Sequence, residues 1–427
     1  MQIISPNAFK KPKEIERMIP PTLDYGHIKF NVRFDPKVLF RDFKPLMGVA
    51  NQIEDILDPY EAANEAVRLA KQNRIGRHLA ELQDDIQERT VKDKRFLGLE
   101  QKIAISVEKP APVDLPCCKP DCPEFAIKNS HSLQKNGILA SLADENGRIL
   151  QTKITPFSSS GGMKDLGVRY ASVFPGYCKA CEQSIFSRAE ILNAEVDKEN
   201  TALLLWRALC YIRYRRAQEV KARGMMVSKP EMYAISSENE DPFTAFATAF
   251  NLKTSIYSYK MSDKWVSILD DQVWSSASEL SIASIELKKL PFAGCGAIPI
   301  PIDFDRITHP NVGNFHSTLP SLVFTTVLKE GRPHIILACR RGDRWSRNFL
   351  KRLMRMDCEL LAAYIPQIIL GGSDTVFLSK RYWDHESTER DRCILKHSQF
   401  MASPQMVFPF WGAPDGVSVQ RAFWVNE

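Results

Sequence analysis

Two pairs of cysteines constrain this chain more than any other feature of its sequence. The first stands in Cys117-Cys118-Lys-Pro-Asp-Cys122 and the second in Cys178-Lys-Ala-Cys181, with residues 123–177 between them. Zinc prefers four nitrogen or sulfur ligands in a tetrahedron, and a spacer of about two to four residues lets two paired sulfurs reach one ion. The spacing therefore predicts a zinc site made of Cys118, Cys122, Cys178 and Cys181, with Cys117 as the alternative partner of Cys122.

The rest of the sequence indicates a soluble protein of the cytoplasm. Its first residues carry no apolar run typical of a signal peptide. The longest apolar run, Leu360–Leu370, contains Pro366 and is too short to span a bilayer, so no membrane partner is expected. Because disulfides are rare in the cytosol, clustered cysteines there more often hold a metal. The net charge of +6 permits contact with nucleic acid without requiring it.

His131 lies nine residues after Cys122, in the segment Asn129-Ser-His-Ser. Three roles are open to it. It could bind zinc in place of one cysteine, or it could be a structural residue bonded to the backbone. It could also be a general base, because a histidine with an ordinary pKa of about 6.5 is largely neutral at physiological pH. The sequence leaves these alternatives open.

Changes of composition along the chain divide it into three expected regions. Residues 1–108 form an extended and helical N-terminal region, and residues 109–228 hold the cysteine pairs and a long helix. Residues 229–427 carry short apolar runs typical of strands. The predicted fold class is therefore α+β, with an N-terminal helical segment, a central zinc module with its long helix, and a C-terminal domain with a mainly antiparallel sheet.

Individual elements follow from periodicity and from turn residues. The predicted helices are residues 60–89, Lys198–Arg223 with Gly224 as its C-cap, and Arg344–Ile365. The predicted extended segments are His27–Val32, Leu97–Val107, Thr254–Tyr259, Trp265–Leu269, Ile282–Leu287, Leu322–Leu328 and His334–Ala338. Between the last two, Lys329-Glu330-Gly331 is predicted to be a hairpin turn, and Phe157–Gly162 is predicted to be a loop.

Two of the predicted helices carry clustered positive charge. In the last helix the basic residues that step by three and four, and so share one face, are Arg344, Arg347, Lys351 and Arg355. Trp345 and Phe349 lie off this face and are expected to pack inward. The other cluster lies within residues 207–223 and begins with Arg207. Either face could neutralise the phosphates of DNA or RNA, and the alternative is a solvated face paired with local acids.

The cysteine region resembles the treble-clef zinc core of HNH endonucleases. The shared features are a cysteine pair, a histidine about ten residues later, and a second Cys-x-x-Cys pair. Residues 117–190 are also similar to a group of poorly characterised bacterial proteins with a Ser-His-Ser segment between two such pairs. The resemblance implies a structural zinc ion in a treble clef and His131 as the residue that activates water. Glu182 stands where the family has a histidine or asparagine, and a carboxylate there could bind a second divalent ion, Mg²⁺ or Mn²⁺.

The resemblance implies a bacterial HNH-like metal-dependent nuclease or nucleic-acid-binding protein, acting in antiviral defence against foreign DNA. The second hypothesis is a non-catalytic interaction or scaffold protein. In it, zinc stabilises the central region of the chain and residues 229–427 bind a protein partner. Geometry separates the two. The enzyme hypothesis gains support if His131 and Glu182 converge on one solvent-open point beside the zinc, and it loses support if His131 is buried against the backbone.

Overall fold

The computed structural model describes most of the chain after residue 114 and short stretches before it. The described residues are 22–25, 28–31, 94–95, 98–99, 102–103, 115–152, 163–191, 196–227, 255, 258–270, 279–300, 303–304, 307, 309–311, 319–392 and 413–426. The predicted helices within residues 60–89 and the predicted loop Phe157–Gly162 lie outside them. Within the described residues the fold is a mixture of helices and antiparallel sheet, which confirms the predicted α+β class.

The chain falls into two compact units. One comprises residues 1–109 and 216–259, and the other comprises residues 110–215 and 260–427. This division differs from the three regions expected from sequence, because the cysteine region and most of the C-terminal region belong to the same unit. In the first unit, the described residues include a two-stranded antiparallel ribbon that contains part of the predicted segment His27–Val32.

Twelve strands occur in the described residues. In chain order they are β1 (Thr22–Tyr25), β2 (Ile28–Asn31), β3 (Ser130–His131), β4 (Arg148–Thr152), β5 (Met163–Gly167), β6 (Val173–Phe174), β7 (Leu280–Lys289), β8 (Phe292–Pro299), β9 (Ser321–Lys329), β10 (Arg332–Arg340), β11 (Ser373–Leu378) and β12 (Ser418–Asn426). Eight of them form one sheet of the second unit, in the order β12-β7-β10-β9-β8-β11-β4-β5. Every neighbouring pair in this sheet is antiparallel.

Both faces of this sheet are buried. Along β10, Ile336 and Ala338 belong to a core shared with the cysteine region and the long helix that follows it. The alternate residues Ile335, Leu337 and Cys339 belong to a second core on the opposite face. Because successive side chains of a strand point to opposite faces, a strand covered on both sides has to be apolar at nearly every position.

Four helices frame the sheet and the cysteine region. They are α1 (Lys179–Phe186), α2 (Lys198–Val227), α3 (Arg344–Leu353) and α4 (Cys358–Gly372), and residues 260–270 are also helical. The carboxylates of Asp343 and Asp357 cap α3 and α4 by accepting hydrogen bonds from backbone amides of the first turn. None of the helices in the described part of the chain is both long and apolar enough to cross a membrane.

The cysteine region contains a small strand–strand–helix unit. Strand β3 pairs with β6 in antiparallel fashion, and α1 follows β6 after a short turn. Between β3 and β6 the chain leaves this unit to form β4 and β5, and β4 pairs with β11 at the main sheet. The long spacer between the two cysteine pairs is thus used to add two strands to the sheet.

Several predicted elements are confirmed. The segments Ile282–Leu287, Leu322–Leu328 and His334–Ala338 lie within β7, β9 and β10. The turn between β9 and β10 consists of Glu330 and Gly331, whose φ angles of 50° and 72° are both positive. This is the backbone of a two-residue hairpin whose twist matches that of the flanking strands.

Other predicted elements are wrong. The predicted strand Trp265–Leu269 is helical, as are the described residues of Thr254–Tyr259 and of Leu97–Val107. A short apolar run does not distinguish a strand from one turn of a buried helix, because both bury consecutive apolar residues. The predicted helix Arg344–Ile365 is two helices, since Asp357 starts a new one. Helix α2 runs through Gly224 to Val227.

Candidate metal centre

The first cysteine pair lies on a tight turn. Pro116 bridges to Phe125, and the Cys117 amide donates to the Glu124 carbonyl at 3.0 Å. Asp121 has a φ of 58°, a left-handed conformation that aspartate tolerates better than most residues. The turn between these contacts brings the side chains of Cys117 and Cys122 to the same place.

The second pair lies at the N-terminus of α1. Cys178 is the N-cap residue, and its sulfur accepts a hydrogen bond of 3.3 Å from the amide of Cys181. The Cys178 amide in turn donates to the sulfur of Cys117 at 3.3 Å. Backbone amides and the N-terminal end of a helix both stabilise negative charge, so these sulfurs are placed where thiolates are favoured.

The four sulfurs of Cys117, Cys122, Cys178 and Cys181 all lie within 4.8 Å of one another. Cys122 Sγ is 3.7 Å from Cys181 Sγ and 3.9 Å from Cys178 Sγ. A zinc ion with bonds of about 2.3 Å to four tetrahedral sulfurs separates those sulfurs by about 3.8 Å. The distances exceed the disulfide length of about 2.05 Å, and all four cysteines are free. The cluster could therefore hold a metal ion.

The ionisation of the cluster also fits a cation. Burial raises the pKa of the Cys117 thiol to about 11 and raises that of Cys181 as well. Burial opposes ionisation of Cys178 too, but the Cys181 amide and the neighbouring thiols outweigh it and lower the pKa of Cys178. Four adjacent thiolates would repel one another, so the four thiols can all lose their protons only if a positive ion compensates the negative charge. A divalent ion that prefers sulfur would supply that charge.

Cys118 is outside the cluster, which corrects the ligand set predicted from sequence. Cys118 lies at a bend directly after Cys117, and it is not among the four cysteines of the cluster. Cys118 faces α2 instead, where its sulfur is 4.0 Å from Nη2 of Arg213. A hydrogen bond with the thiol of Cys210 holds the pKa of Cys118 below its ordinary value despite burial. The structure brings together Cys122, Cys178 and Cys181 as predicted, with Cys117 as the fourth member.

The two cysteine pairs are joined by hydrogen bonds and an aromatic core. The amides of Cys118 and Ile127 each donate at 2.7 Å, to the carbonyls of Gly176 and Tyr177 respectively. Beneath them the rings that pack against one another are Phe174, Tyr177, Phe186, Trp206 and Tyr211. The cluster therefore sits on a packed support in which α2 takes part.

His131 lies on β3 with its ring held against the backbone of the opposite segment. Its Nδ1 is 2.9 Å from the Ala171 carbonyl, which can only accept, so Nδ1 carries the hydrogen and Nε2 is the acceptor nitrogen. Burial lowers the pKa of His131, although the Ala171 carbonyl opposes the shift. The imidazole is therefore neutral at physiological pH. It is not among the four residues of the cysteine cluster.

Glu182 follows Cys181 in the first turn of α1. Burial raises the pKa of its carboxyl, and the charge of Arg207 opposes the shift. Its side chain also bonds to Ser130, the strand neighbour of His131. In the described part of the chain no hydrogen bond or ion pair joins Glu182 to His131 itself. The two predicted catalytic residues are thus neighbours through Ser130 and are not in direct contact. Together with the bond of the His131 ring to the Ala171 backbone, this geometry counts against the enzyme hypothesis.

Arg207 is the residue near this site that sequence reasoning misread. The basic cluster on α2 was expected to be a surface face, yet Arg207 is fully buried. Its Nη1 is 2.6 Å from Glu190 Oε1 and 3.9 Å from Glu182 Oε1, and its guanidinium stacks on Phe186 at 4.7 Å. The sequence does contain a signal for this burial, because Arg207 lies inside the apolar stretch 204–212. A buried cation requires such acidic partners.

Of the four residues predicted to share a basic helix face, Arg344, Arg347 and Lys351 lie on α3. Arg355 lies in the turn after the helix ends at Leu353, so its predicted place on that face is wrong. Arg344 and Arg355 are exposed, and Arg347 and Lys351 are half-buried. Within the described residues, Arg344 and Arg355 form no ion pair with a carboxylate. On the opposite side, Trp345 Nε1 donates to the Ile300 carbonyl at 3.0 Å and Phe349 stacks on Phe304 at 4.3 Å. The inward packing predicted for these two aromatic residues is confirmed.

Comparison with known proteins supplies no further identification. A scan against protein-family models found no match, and searches of curated proteins and of solved structures found none either. The function must therefore be inferred from the residues of the site and their geometry.

Proposed function

We propose that the four-cysteine cluster binds one structural zinc ion and that the segment it holds is an HNH-like nuclease module acting on DNA or RNA. Four cysteine sulfurs complete the tetrahedron around zinc and leave no position for a catalytic water, which is the arrangement of structural sites. When bound, the ion would supply folding free energy by joining the two cysteine pairs. Any chemistry must then come from side chains beside the cluster.

His131 is the observation that carries the nuclease proposal. It belongs to the strand–strand–helix unit that the cysteines join, and its pKa is below its ordinary value because of burial. Its Nδ1 is fixed by the Ala171 carbonyl, so the basic Nε2 has a defined position. A neutral imidazole with one tautomer and one free nitrogen is suited to take a proton from an attacking water.

Glu182 would be the ligand of a second ion, Mg²⁺ or Mn²⁺, in this proposal. Carboxylate oxygens suit both hard cations. Arg207 lies closer to Glu190 than to Glu182, at 2.6 Å against 3.9 Å, so the Glu182 carboxylate is only loosely paired. A cation that binds Glu182 would also offset the burial that now raises the pKa of that carboxyl.

The decisive experiment is cleavage by a His131→Ala variant. Plasmid DNA and RNA are incubated with the purified protein in Mg²⁺ or Mn²⁺, with and without chelator. We expect cleavage by the parent protein and a loss of at least about 100-fold in the variant, the usual contribution of a general base. The matched control is His385→Ala, which removes an exposed histidine. Zinc content should be unchanged in both variants.

A specific observation favours the alternative of a non-catalytic interaction protein. The guanidinium of Arg207 lies beside Glu182, and its positive charge would repel a second metal ion from that carboxylate. In this case the cysteine centre and the Arg207 network would serve only to hold the fold. Parent protein that retains zinc but cleaves neither DNA nor RNA with either divalent ion would favour this alternative and refute the nuclease proposal.

A further inference from the structure

A cavity of about 340 Å³ lies at one end of the main sheet, in the second unit. Its floor is formed by the start of β9 and the end of β10, and the residues just before α3 form one side. The helix of residues 260–270 covers the other side. None of the four clustered cysteines lines the cavity, and neither does His131.

The helical wall presents both apolar and cationic groups. The residues of this helix that line the cavity are Met261, Lys264, Trp265 and Ile268. They follow one another at the three- and four-residue spacing of a single helix face. Trp265 Nε1 donates to Ser321 Oγ at 2.7 Å, which fixes the helix to the first residue of β9. This wall is therefore part of the folded core and is set before any ligand binds.

Hydrogen-bond donors dominate the polar lining. Arg340 and Lys264 bring two positive charges, and the buried Arg340 Nε has no hydrogen-bond acceptor in the described part of the chain. His309 Nδ1 accepts a hydrogen bond of 3.1 Å from the Asn311 amide, so its hydrogen is on Nε2 and the ring can donate. The T-shaped contact of this ring with Trp345, at 5.0 Å, holds its orientation.

Among the described lining residues the one carboxylate, Asp343, is already engaged. Asp343 accepts hydrogen bonds from the amide and the hydroxyl of Ser346, at 3.1 and 2.6 Å, as the N-cap of α3. Among the described residues the ionic partner of Arg340 is Glu279, 3.7 Å from its Nη2, and the Glu279 side chain is exposed to solvent. The described lining therefore offers a bound molecule the Arg340 Nε donor, the Nε2 hydrogen of His309 and more cationic than anionic groups. An anion with several acceptor oxygens meets these requirements.

We infer that this cavity binds a phosphate monoester carrying a ring, in the size range of a nucleoside monophosphate. The cationic donors would hold the phosphate, and the apolar wall of Met261, Trp265 and Pro320 would cover the ring. A volume of this order is at the lower end of small-molecule sites, which span about 300–1,000 Å³, and leaves no room for a dinucleotide. The same chemistry is presented by a free nucleotide and by the 5′-phosphate end of a nucleic-acid strand.

Calorimetric titration with AMP tests this inference, with adenosine and inorganic phosphate as partial ligands. A short single strand with a 5′-phosphate, and the same strand with a 5′-hydroxyl, distinguish the two sources. The variants are Arg340→Met, which keeps most of the aliphatic stem, and Lys264→Met, at an exposed helix position that tolerates substitution. The matched control is Arg381→Met, whose side chain is 77% exposed and lies outside the cavity lining.

We expect AMP to bind with a dissociation constant below about 1 mM and adenosine to bind at least about tenfold more weakly. Each cavity variant should lose about tenfold or more in affinity for AMP, as expected for a charge-assisted hydrogen bond, while Arg381→Met should not. Tighter binding of the 5′-phosphorylated strand than of AMP would assign the site to strand ends, and the reverse would assign it to free nucleotide.

Two results would overturn the inference. One is the lack of measurable heat with AMP and with the phosphorylated strand at millimolar concentration. The other is equal affinity of the parent protein and both cavity variants, each with an unchanged melting curve. His131 does not line the cavity, so His131→Ala should retain full AMP affinity. Failure of the nuclease proposal and failure of this inference are therefore distinguishable.

Discussion

Cys117 and Cys118 carry the same thiol, but the backbone turns only Cys117 toward the other three clustered cysteines. Cys118 faces Cys210 and Arg213 on α2 instead. This difference cannot come from the chemistry of the side chains, because the two residues are identical. It comes from the backbone at the turn, which places the sulfur of Cys117 in the cluster and the sulfur of Cys118 beside α2.

The adjacent cysteines therefore give a matched pair of variants. Cys117→Ser should lower the metal content from about one zinc per chain to nearly none, because serine is a poor ligand in a thiolate site. Cys118→Ser should retain the metal. Elemental analysis of the purified proteins measures both, and limited proteolysis reports whether the region is folded. Retention of zinc in Cys117→Ser with loss in Cys118→Ser would refute the assignment made here.

Glu286 shows how three strands can be tied by one carboxylate. It lies on β7 with its side chain buried, and it pairs with Arg332 on β10 and with Arg421 on β12, the latter at 2.6 Å. Burial raises the pKa of Glu286, but the hydrogen bonds from the two arginines outweigh it and leave the pKa below its ordinary value. The charged form is therefore favoured in the folded protein.

A Glu286→Gln variant should be less stable at neutral pH by about 1–2 kcal/mol, since two charge-assisted hydrogen bonds are weakened and both arginines are partly screened by solvent. A carboxyl with a lowered folded pKa contributes stability above its unfolded pKa of about 4.3, and this contribution disappears as the pH falls through the folded value. The difference in unfolding free energy between parent and variant should thus shrink below about pH 4. Urea unfolding at a series of pH values measures this difference. A difference that grows on acidification would contradict the proposed role of the Glu286 ion pairs with Arg332 and Arg421.

Helix α3 and the turn that follows it carry the basic residues on which nucleic-acid binding would depend. If Arg344 and Arg355 contact phosphates, Arg344→Gln with Arg355→Gln should weaken binding. The slope of log affinity against log salt should fall by about 1.8, or about 0.9 for each lost contact on duplex DNA. Fluorescence anisotropy with labelled DNA measures both quantities.

The control for this prediction removes the same charge elsewhere. Lys289 and Arg381 are exposed and both pair with Glu386, and Lys289→Gln with Arg381→Gln should leave the slope unchanged. Equal losses in the two double variants would mean that net charge alone drives association. Parent protein that does not bind DNA or RNA at low salt would exclude α3 as an interface.

At the scale of the whole molecule, the cysteine region and the main sheet belong to one compact unit. The core on one face of the sheet contains Cys178 and Cys181 together with Val323 and Ile336. Residues of the cluster and residues of β9 and β10 therefore exclude water from the same space. The stability of the sheet should depend on whether the cysteines hold their metal.

If the cluster holds zinc as proposed, removal of the ion by a strong chelator at neutral pH should lower the melting temperature by at least about 10 °C, given the large free energy of structural zinc sites. Hydrogen exchange should speed up in β9 and β10 as well as around the cysteines. Added zinc should restore both. Faster exchange confined to residues 115–191, with unchanged protection in β9 and β10, would show that the cysteine region unfolds by itself.

Local patterns were sufficient for part of this structure. The sequence by itself predicted the α+β class, the strands β7, β9 and β10, the hairpin at Glu330 and Gly331, and the meeting of two distant cysteine pairs. Each of these depends on contacts a few residues apart or on a ligand spacing with a narrow range of geometries. Long apolar runs bounded by turn residues leave few alternatives for the backbone.

Only the tertiary structure decided the rest. The choice of Cys117 over Cys118, the burial of Arg207 and the helix at residues 260–270 all depend on partners far away in sequence. The same short apolar or basic segment is compatible with more than one backbone and more than one face. Which face is buried follows from the free energy of covering it with a distant element, and a local pattern does not contain that quantity.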